Sequence, residues 1–115
     1  MRTVGEVCLL TADVRRLSAF YRMLLGIESA DVDCMHQTLL ERETMLTVMH
    51  SDSARPGSGK SIALAFTVSD VDAECARLRA LGVEIVQEPR TQPWGARNMC
   101  LRDPDGNLVY LRTLP

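Results

Sequence analysis

The sequence predicts an α+β fold in which two tandem β-α-β-β-β modules form a cupped mixed sheet with the helices on its outer face. Two observations predict this fold. The chain repeats its pattern at an offset of 57 positions, from Asp13 to Asp70, and each aspartate stands between a β-rich run and a run with helical spacing. A Ser/Gly/Pro-rich segment over residues 51–60, typical of a linker, separates the two copies. We therefore expect one 115-residue domain, with module one over about residues 1–50 and module two over about 61–115.

Module one opens with a short β-rich run from Val4 to Leu10, which predicts a strand. Apolar residues from Val14 to Leu25 then share one face of a helix, which Thr11 or Asp13 can cap and Gly26 can end. Two or three further strand-like pieces follow, over residues 27–34, 35–41 and 44–50.

Module two repeats this order. A strand is predicted over residues 62–68, and Asp70 caps a helix that runs from Val71 through Leu81 and ends at Gly82. A further strand is predicted over residues 83–86. Because a single helix covers only one face of such a module, two modules can close their bare faces around a shared hollow.

The second module finishes with a predicted hairpin around D-P-D-G-N, residues 103–107. Pro104 presets φ at the second turn position, and Gly106 accepts the positive φ that a tight hairpin loop requires. One face of the hairpin is aliphatic, whereas the other is mixed and forms a candidate ligand wall. The residues of the mixed face are Asn98, Cys100, Arg102, Leu108, Tyr110 and Arg112. Trp94, the only tryptophan, precedes the first hairpin strand, where it can either anchor the loop by packing or stack on a ligand.

Composition excludes several classes of partner. The net charge is -2 and no basic stripe appears, which argues against a nucleic-acid surface. The apolar runs are only a few residues long, so we expect no membrane span and no export signal, and a cytoplasmic protein. The 4 cysteines show no C-x-x-C spacing and are expected to be reduced thiols.

Four segments carry a resemblance to a known family: A-F-Y-R-M-L-L-G (Ala19 to Gly26), F-T-V-S-D-V-D-A (Phe66 to Ala73), P-W-G-A-R (93–97) and D-P-D-G-N-L-V-Y-L (103–111). Together they resemble the vicinal oxygen chelate superfamily, the group of glyoxalases, extradiol dioxygenases, fosfomycin-resistance enzymes and bleomycin-resistance proteins. The resemblance covers nearly the whole chain. It implies paired modules that form a cup, usually in a homodimer, but it does not imply one chemistry.

Metal-dependent members of this superfamily hold a metal at matching positions of the two modules. In this chain those positions carry Glu6, Thr47, Ala63 and Tyr110. Because only Glu6 is a ready ligand and a divalent ion needs three or more protein ligands, the pattern implies no metal and no other cofactor. A role for His36 or His50 in an atypical metal site stays open.

The chain most resembles the metal-free bleomycin-resistance-like branch, through P-W-G followed by Arg97 and through the D-P-D-G-N hairpin. By that resemblance, Trp94 stacks on a planar ligand and Tyr110 offers a hydrogen bond or a ring face. Glu6 pairs with a ligand cation or amide, and Asn98 adds polar contacts. The complete set of candidate binding residues is Glu6, Cys8, Thr47, Met49, Trp94, Asn98, Cys100, Tyr110 and Arg112.

The leading hypothesis is therefore a homodimeric protein that sequesters a small, partly planar or aromatic metabolite or antibiotic. The slight negative charge disfavours a large cationic antibiotic such as bleomycin. A rival hypothesis is a metal-independent lyase or isomerase, with Glu6 as general base and Tyr110 as general acid or oxyanion donor. In the simplest alternative for Glu6, it only forms an ion pair with Arg97 or Arg112. A third hypothesis retains an atypical metal site, so whether the chain is an enzyme stays open.

Overall fold

A computed structural model describes residues 2–28, 33–56 and 62–115. The chain divides into two compact units, Met1–Pro56 and Gly57–Pro115. Each unit contains one helix packed on one mixed sheet, as the sequence predicts. Neither helix is long enough and apolar enough to span a bilayer, among the residues that the structure describes.

The first unit contains a three-stranded sheet and one helix. Its elements are β1 (Glu6–Thr11), α1 (Val14–Leu25), β2 (His36–Leu40) and β3 (Met45–His50). The strand order is β1-β3-β2, with β1 parallel and β2 antiparallel to the central β3. The strand expected over residues 27–34 falls partly outside the described residues, since 29–32 are not described. The described remainder of that piece, 27–28 and 33–34, lies outside any strand.

Local chemistry fixes both ends of α1. The Asp13 side chain accepts a hydrogen bond from the Arg16 backbone N–H at 3.1 Å, so Asp13 and not Thr11 is the N-cap. Gly26 ends the helix in the left-handed conformation, with φ 67°, and the Ile27 N–H bonds back to the Arg22 carbonyl at 2.9 Å.

The core of the first unit lies between α1 and the sheet. Its buried apolar side chains come from the helix and from β2 and β3: Val14, Leu17, Tyr21, Leu24, Leu39, Leu46 and Val48. Residues that alternate with these along the strands point to the side of the sheet away from α1, which we call the first open face.

The second unit forms the complete β-α-β-β-β module. Its elements are β4 (Ala63–Thr67), α2 (Val71–Ala80), β5 (Ile85–Thr91), β6 (Arg97–Arg102) and β7 (Leu108–Thr113). The strand order is β4-β7-β6-β5, with β4 parallel to β7 and the other pairs antiparallel. In both units the first strand therefore pairs in parallel with the last, which agrees with the internal duplication seen in the sequence.

Two boundaries in the second unit differ from the sequence prediction. α2 ends at Ala80, and Leu81 is the C-cap with a side chain that is 56% exposed, so Leu81 does not continue the buried face of the helix. The positive φ of Gly82 turns the chain, and the Val83 N–H closes the helix on the Leu78 carbonyl. The strand expected over residues 83–86 instead begins at Ile85 and continues to Thr91.

The core of the second unit lies between α2 and one face of its sheet. The buried residues are Val71, Cys75, Leu78, Met99, Leu101, Val109 and Leu111. The alternate residues of β4 to β7 point to the other side of the sheet, which we call the second open face. This face carries the mixed residues of the predicted hairpin.

Candidate functional site

Two rows of side chains cross the second open face. The strand register places Arg90, Asn98, Arg112 and Thr67 side by side in the first row. The second row consists of Gln87, Cys100, Tyr110 and Ala65. Neighbouring strands are about 4.8 Å apart, so the two arginines lie two strand spacings apart with Asn98 between them.

Trp94 is held at the tip of the β5–β6 hairpin by a tight turn. The Gly95 N–H donates to the Gln92 carbonyl at 2.9 Å, and the Gln92 N–H donates to the Ala96 carbonyl at 2.8 Å. Pro93 occupies the second position of this turn, and Gly95 has a φ of 99°. The tryptophan side chain is 69% exposed, so it does not act as a packing anchor for the loop.

The same turn geometry recurs at the β6–β7 hairpin. There the Gly106 N–H donates to the Asp103 carbonyl at 2.9 Å, and the Asp103 N–H donates to the Asn107 carbonyl at 3.0 Å. The Asp103 carboxylate also accepts from the backbone N–H groups of Asp105 and Asn107, each at 2.9 Å. The hairpin that the sequence predicts around D-P-D-G-N is thus present. P-W-G forms a second hairpin turn of the same type, which was not predicted from the sequence.

A cavity of about 460 Å³ lies over the two rows and below the hairpin tip. It is lined by Ala65, Gln87, Arg90, Gln92, Trp94, Ala96, Asn98, Tyr110 and Arg112. The volume falls within the range that small-molecule sites occupy, about 300–1,000 Å³. Four residues proposed from the sequence therefore meet here: Trp94, Asn98, Tyr110 and Arg112.

The charge of this cavity comes from arginine alone, since neither Asp nor Glu is among its lining residues. The Arg112 Nε donates to the Thr67 Oγ1 at 3.1 Å, which orients the guanidinium without neutralising it. Gln87 and Gln92 add neutral amides. The cavity wall is thus cationic in a chain whose net charge is slightly negative.

Asn98, one of the residues that line the cavity, has an unsatisfied acceptor. Its Oδ1 is buried and has no hydrogen-bond partner among the described residues. Such an atom costs about 1–3 kcal/mol of desolvation free energy unless a partner reaches it. A ligand that brings an N–H or O–H group to Asn98 would supply that partner.

Tyr110 and Cys100 are both neutral at physiological pH. Burial raises the pKa of the Cys100 thiol above its ordinary value of 9.0. Repulsion from the Cys100 charge, followed by burial, raises the pKa of the Tyr110 phenol above 10.0. Tyr110 therefore offers a neutral O–H donor, whereas Cys100, its neighbour in the same row, is only 3% exposed and does not line the cavity.

The remaining candidates proposed from the sequence belong to the first unit. Register pairs Glu6 with Met45, Cys8 with Thr47 and Leu10 with Met49, so Glu6, Cys8, Thr47 and Met49 all lie on the first open face. The Thr47 Oγ1 donates to the Glu6 Oε2 at 2.6 Å.

The described partner of the Glu6 carboxylate is the Thr47 hydroxyl, and the pairing of Glu6 with Arg97 or Arg112, which belong to the other unit, stays a prediction. Arg97 lies on the helix side of its sheet and bonds both carboxylate oxygens of Asp72, at 2.8 and 3.0 Å.

Three polar residues of the cavity were not proposed from the sequence: Gln87, Arg90 and Gln92. They lie on or just after β5, beyond the point at which the sequence pattern ended that strand. The register shifts between Gln87 and Arg90, and the irregularity removes the simple alternation that would have placed them on one face.

Each unit contains a strand, a helix and further antiparallel strands, and its first and last strands pair in parallel. This arrangement defines a class of tandem-module α+β proteins. A family model agrees over residues 3–111. The chain belongs to the glyoxalase/bleomycin resistance protein/dioxygenase superfamily.

Several solved structures share this fold at low sequence identity. A glyoxalase-related enzyme from Fulvimarina pelagi is 20% identical with a TM-score of 0.82, and the match covers 100% of this chain and 90% of that one. A family enzyme from Burkholderia phytofirmans PsJN is 19% identical with a TM-score of 0.83, covering 99% and 100%. A lactoylglutathione lyase from Agrobacterium tumefaciens is 23% identical with a TM-score of 0.73, covering 96% and 92%. No curated protein gave a significant match.

The residues at the superfamily's metal positions do not fit a divalent ion. In the first unit, Glu6 is the only ready ligand at these positions, and its Oε2 accepts from the Thr47 hydroxyl at 2.6 Å. In the second unit, Ala63 has no donor atom, and the raised pKa of Tyr110 keeps its phenol protonated. No group of three or more His, Cys, Asp or Glu side chains with metal-binding geometry occurs within residues 2–28, 33–56 and 62–115.

Proposed function

We propose that this chain binds and sequesters a small, partly planar molecule, an antibiotic or a metabolite, on the second open face and without a metal. One observation carries the proposal: a hydrogen-bonded turn holds the 69% exposed Trp94 beside a ligand-sized cavity that Tyr110 also lines. Leaving a large aromatic side chain in water forfeits its burial free energy, and stacking on a planar ligand recovers part of it.

The polar part of the wall supports the same proposal. A small-molecule site needs an apolar or aromatic surface together with a few polar groups that fix orientation. Here Trp94 and Ala65 supply the first, and Asn98, Gln87 and Tyr110 supply the second. The Tyr110 phenol is protonated at neutral pH and can donate to a ligand oxygen, and its raised pKa extends that state to higher pH.

Tryptophan fluorescence tests this proposal directly, because the chain has only 1 tryptophan. We expect a panel of planar anions, neutral molecules and cations to contain compounds that quench Trp94 emission, with affinities verified by calorimetry. Trp94→Ala should weaken binding at least about tenfold, or about 1.4 kcal/mol, and leave the unfolding free energy unchanged within about 0.5 kcal/mol because the side chain is exposed. The control, Trp94→Phe, keeps an aromatic plane and should retain most of the affinity by calorimetry.

Two results would contradict the proposal. The first is that no planar compound of any charge binds the wild-type chain. The second is that Trp94→Ala binds the quenching compounds as tightly as the wild type does. Either result would remove the stacking role that distinguishes this site.

A second candidate function is a glyoxalase-like lyase or isomerase with Glu6 as general base. The bond from Thr47 supports it, because an oriented carboxylate is what a positioned base requires. If turnover of any ligand is found, Glu6→Gln should lower kcat by about 10²-fold or more and leave ligand affinity largely unchanged. Unchanged turnover in that variant would remove this mechanism.

A further inference from the structure

We propose that the ligand of the cavity is a planar anion: an aromatic or conjugated carboxylate that carries an N–H or O–H donor beside the charged group. This inference rests on the proposed function and assigns the chemical class of the molecule bound there.

The arginines of the second unit divide into two groups. Four of them have carboxylate partners within the unit: Arg77 with Glu74, Arg79 with Glu88, Arg97 with Asp72 and Arg102 with Glu84. The other two, Arg90 and Arg112, form no ion pair within the described residues, and both line the cavity. The unit thus neutralises its arginines everywhere except where a ligand would lie.

The two unpaired cations flank one buried acceptor. Register places Asn98 between Arg90 and Arg112 in a single row across β5, β6 and β7. The two guanidinium groups on either side of Asn98 can reach one ligand carboxylate, because arginine presents several N–H donors in a planar fork.

The unpartnered Asn98 Oδ1 would accept a hydrogen bond from a second group of the ligand. A bare carboxylate would place its oxygens near this acceptor and leave it unsatisfied. A ligand with an N–H or O–H group next to its carboxylate satisfies Asn98 and the two arginines together. Trp94 at the hairpin tip then contacts the flat face of the same molecule.

The experiment is a calorimetric titration of the full chain with matched probes. The indole-2-, benzofuran-2- and naphthalene-2-carboxylates are each compared with the corresponding carboxamide and aminomethyl compound. We expect each carboxylate that binds to do so about tenfold more tightly than its carboxamide, the size of a charge-assisted interaction. We expect indole-2-carboxylate to bind several-fold more tightly than benzofuran-2-carboxylate, which has the same shape but lacks the N–H donor.

Variants connect these preferences to residues. Arg90→Gln should weaken indole-2-carboxylate binding about tenfold and leave carboxamide binding unchanged. This variant is the primary one, because no hydrogen bond from the Arg90 side chain is described and its loss should not disturb folding. Arg112→Gln should act in the same direction but also removes the bond to Thr67. The matched control is Arg77→Gln, which removes the same charge on α2, on the other side of the sheet, and should change neither affinity.

The outcomes separate this inference from the proposed function. Suppose that planar probes bind, but that for each ring system that binds, the carboxamide or the aminomethyl compound has an affinity at least as high as that of the carboxylate. The anion assignment is then wrong and the binding function stands. The same conclusion follows if Arg90→Gln and Arg77→Gln have equal effects. If none of the three ring systems binds in any charge state, the inference and the proposed function both fail.

Discussion

The unpartnered acceptor of Asn98 lowers the stability of the ligand-free protein, and a role in ligand binding explains its presence. A buried, unpartnered acceptor on a strand lowers stability, whereas an apolar side chain of similar size would not. Residues that serve a ligand often lower the stability of the free protein in this way. The two effects can therefore be measured separately in one variant.

We expect Asn98→Leu to raise the free energy of unfolding of the ligand-free chain by about 1 kcal/mol, measured by urea denaturation, while weakening indole-2-carboxylate binding. The contrasting variant is Asn107→Leu. There the amide Nδ2 donates to the Asp103 Oδ2 at 2.9 Å, so its loss should destabilise by about 1 kcal/mol. A destabilised Asn98→Leu chain would mean that the amide has a structural role.

Individual site residues could be proposed from the sequence only where a pattern marked them. Alternation on the D-P-D-G-N hairpin identified Asn98, Tyr110 and Arg112, because regular strands send every second side chain to one face. Arg90 could not be found in this way. It follows Pro89 and a register shift, and neither its spacing nor its charge distinguishes it from a surface arginine.

The P-W-G turn determines where the aromatic part of the site lies. Its backbone hydrogen bonds match those of the D-P-D-G-N turn, so Trp94 occupies the place that Asp105 occupies in the second hairpin. Gly95 permits this because its φ of 99° lies in a region that L side chains rarely adopt.

We expect Gly95→Ala to lower the free energy of unfolding by about 1–2 kcal/mol. The variant should also bind the ligands that quench Trp94 emission more weakly, because Trp94 is displaced. The new Cβ would lie 3.4 Å from the Pro115 Cγ, an ordinary contact, so the effect comes mainly from backbone strain. Gly5→Ala is the control, since no atom lies within 4 Å of its added Cβ and no positive φ occurs there. Equal stabilities of the two variants in thermal unfolding would contradict a strained turn.

A surface ion pair joins β6 to α2. The Arg97 guanidinium, through its hydrogen bonds, holds the pKa of Asp72 below its ordinary value of 3.8. A carboxyl whose pKa is lower in the folded state contributes stability that is present above pH 3.8 and is lost as the pH falls through the folded-state pKa.

Asp72→Asn should therefore be slightly less stable than the wild type at neutral pH, with a difference that disappears in acid. The difference should also shrink in high salt, because both side chains are substantially exposed. Urea denaturation across a pH series measures this, with Glu43→Gln in the β2–β3 turn as control. A difference that persists undiminished in acid would contradict an electrostatic origin.

Elements were predictable where their ends are marked by local chemistry. Capping aspartates and terminating glycines placed both helices to within a residue or two. β5 was not predictable in full, because it is polar and contains Pro89. Proline is tolerated there only because β5 is an edge strand with an irregular register, and the sequence does not show which strand will be at the edge.

At the scale of the whole molecule, the duplication was readable because both units keep the same order of elements. Whether the chain could bind a metal also depends on both units, because each unit carries two of the positions that hold the metal in the superfamily. Glu6 and Thr47 belong to the first unit, and Ala63 and Tyr110 belong to the second. Neither pair offers more than one ready ligand.

The two histidines do not replace the missing ligands within the first unit. His36 pairs with Met49 and lies on the first open face. His50 pairs with Thr11, which belongs to the opposite face, and its Nε2 is bonded to the Asp52 carboxylate at 2.8 Å. Because they point to opposite sides of one sheet, the two imidazoles cannot converge on one ion.

We therefore expect Zn²⁺, Ni²⁺ and Mn²⁺ to leave Tm unchanged, and chelation to leave planar-ligand affinity unchanged. A metal held by the folded chain alone would add about 2.7 kcal/mol at one hundred times its Kd, which would raise Tm by several degrees. Thermal unfolding measures Tm with and without each ion. Comparing the wild type with Glu6→Gln shows whether any change in Tm depends on the Glu6 carboxylate. A rise in Tm that is present in the wild type and absent in Glu6→Gln would show that Glu6 leaves its bond to Thr47 to bind metal, and the metal-free assignment would then be wrong.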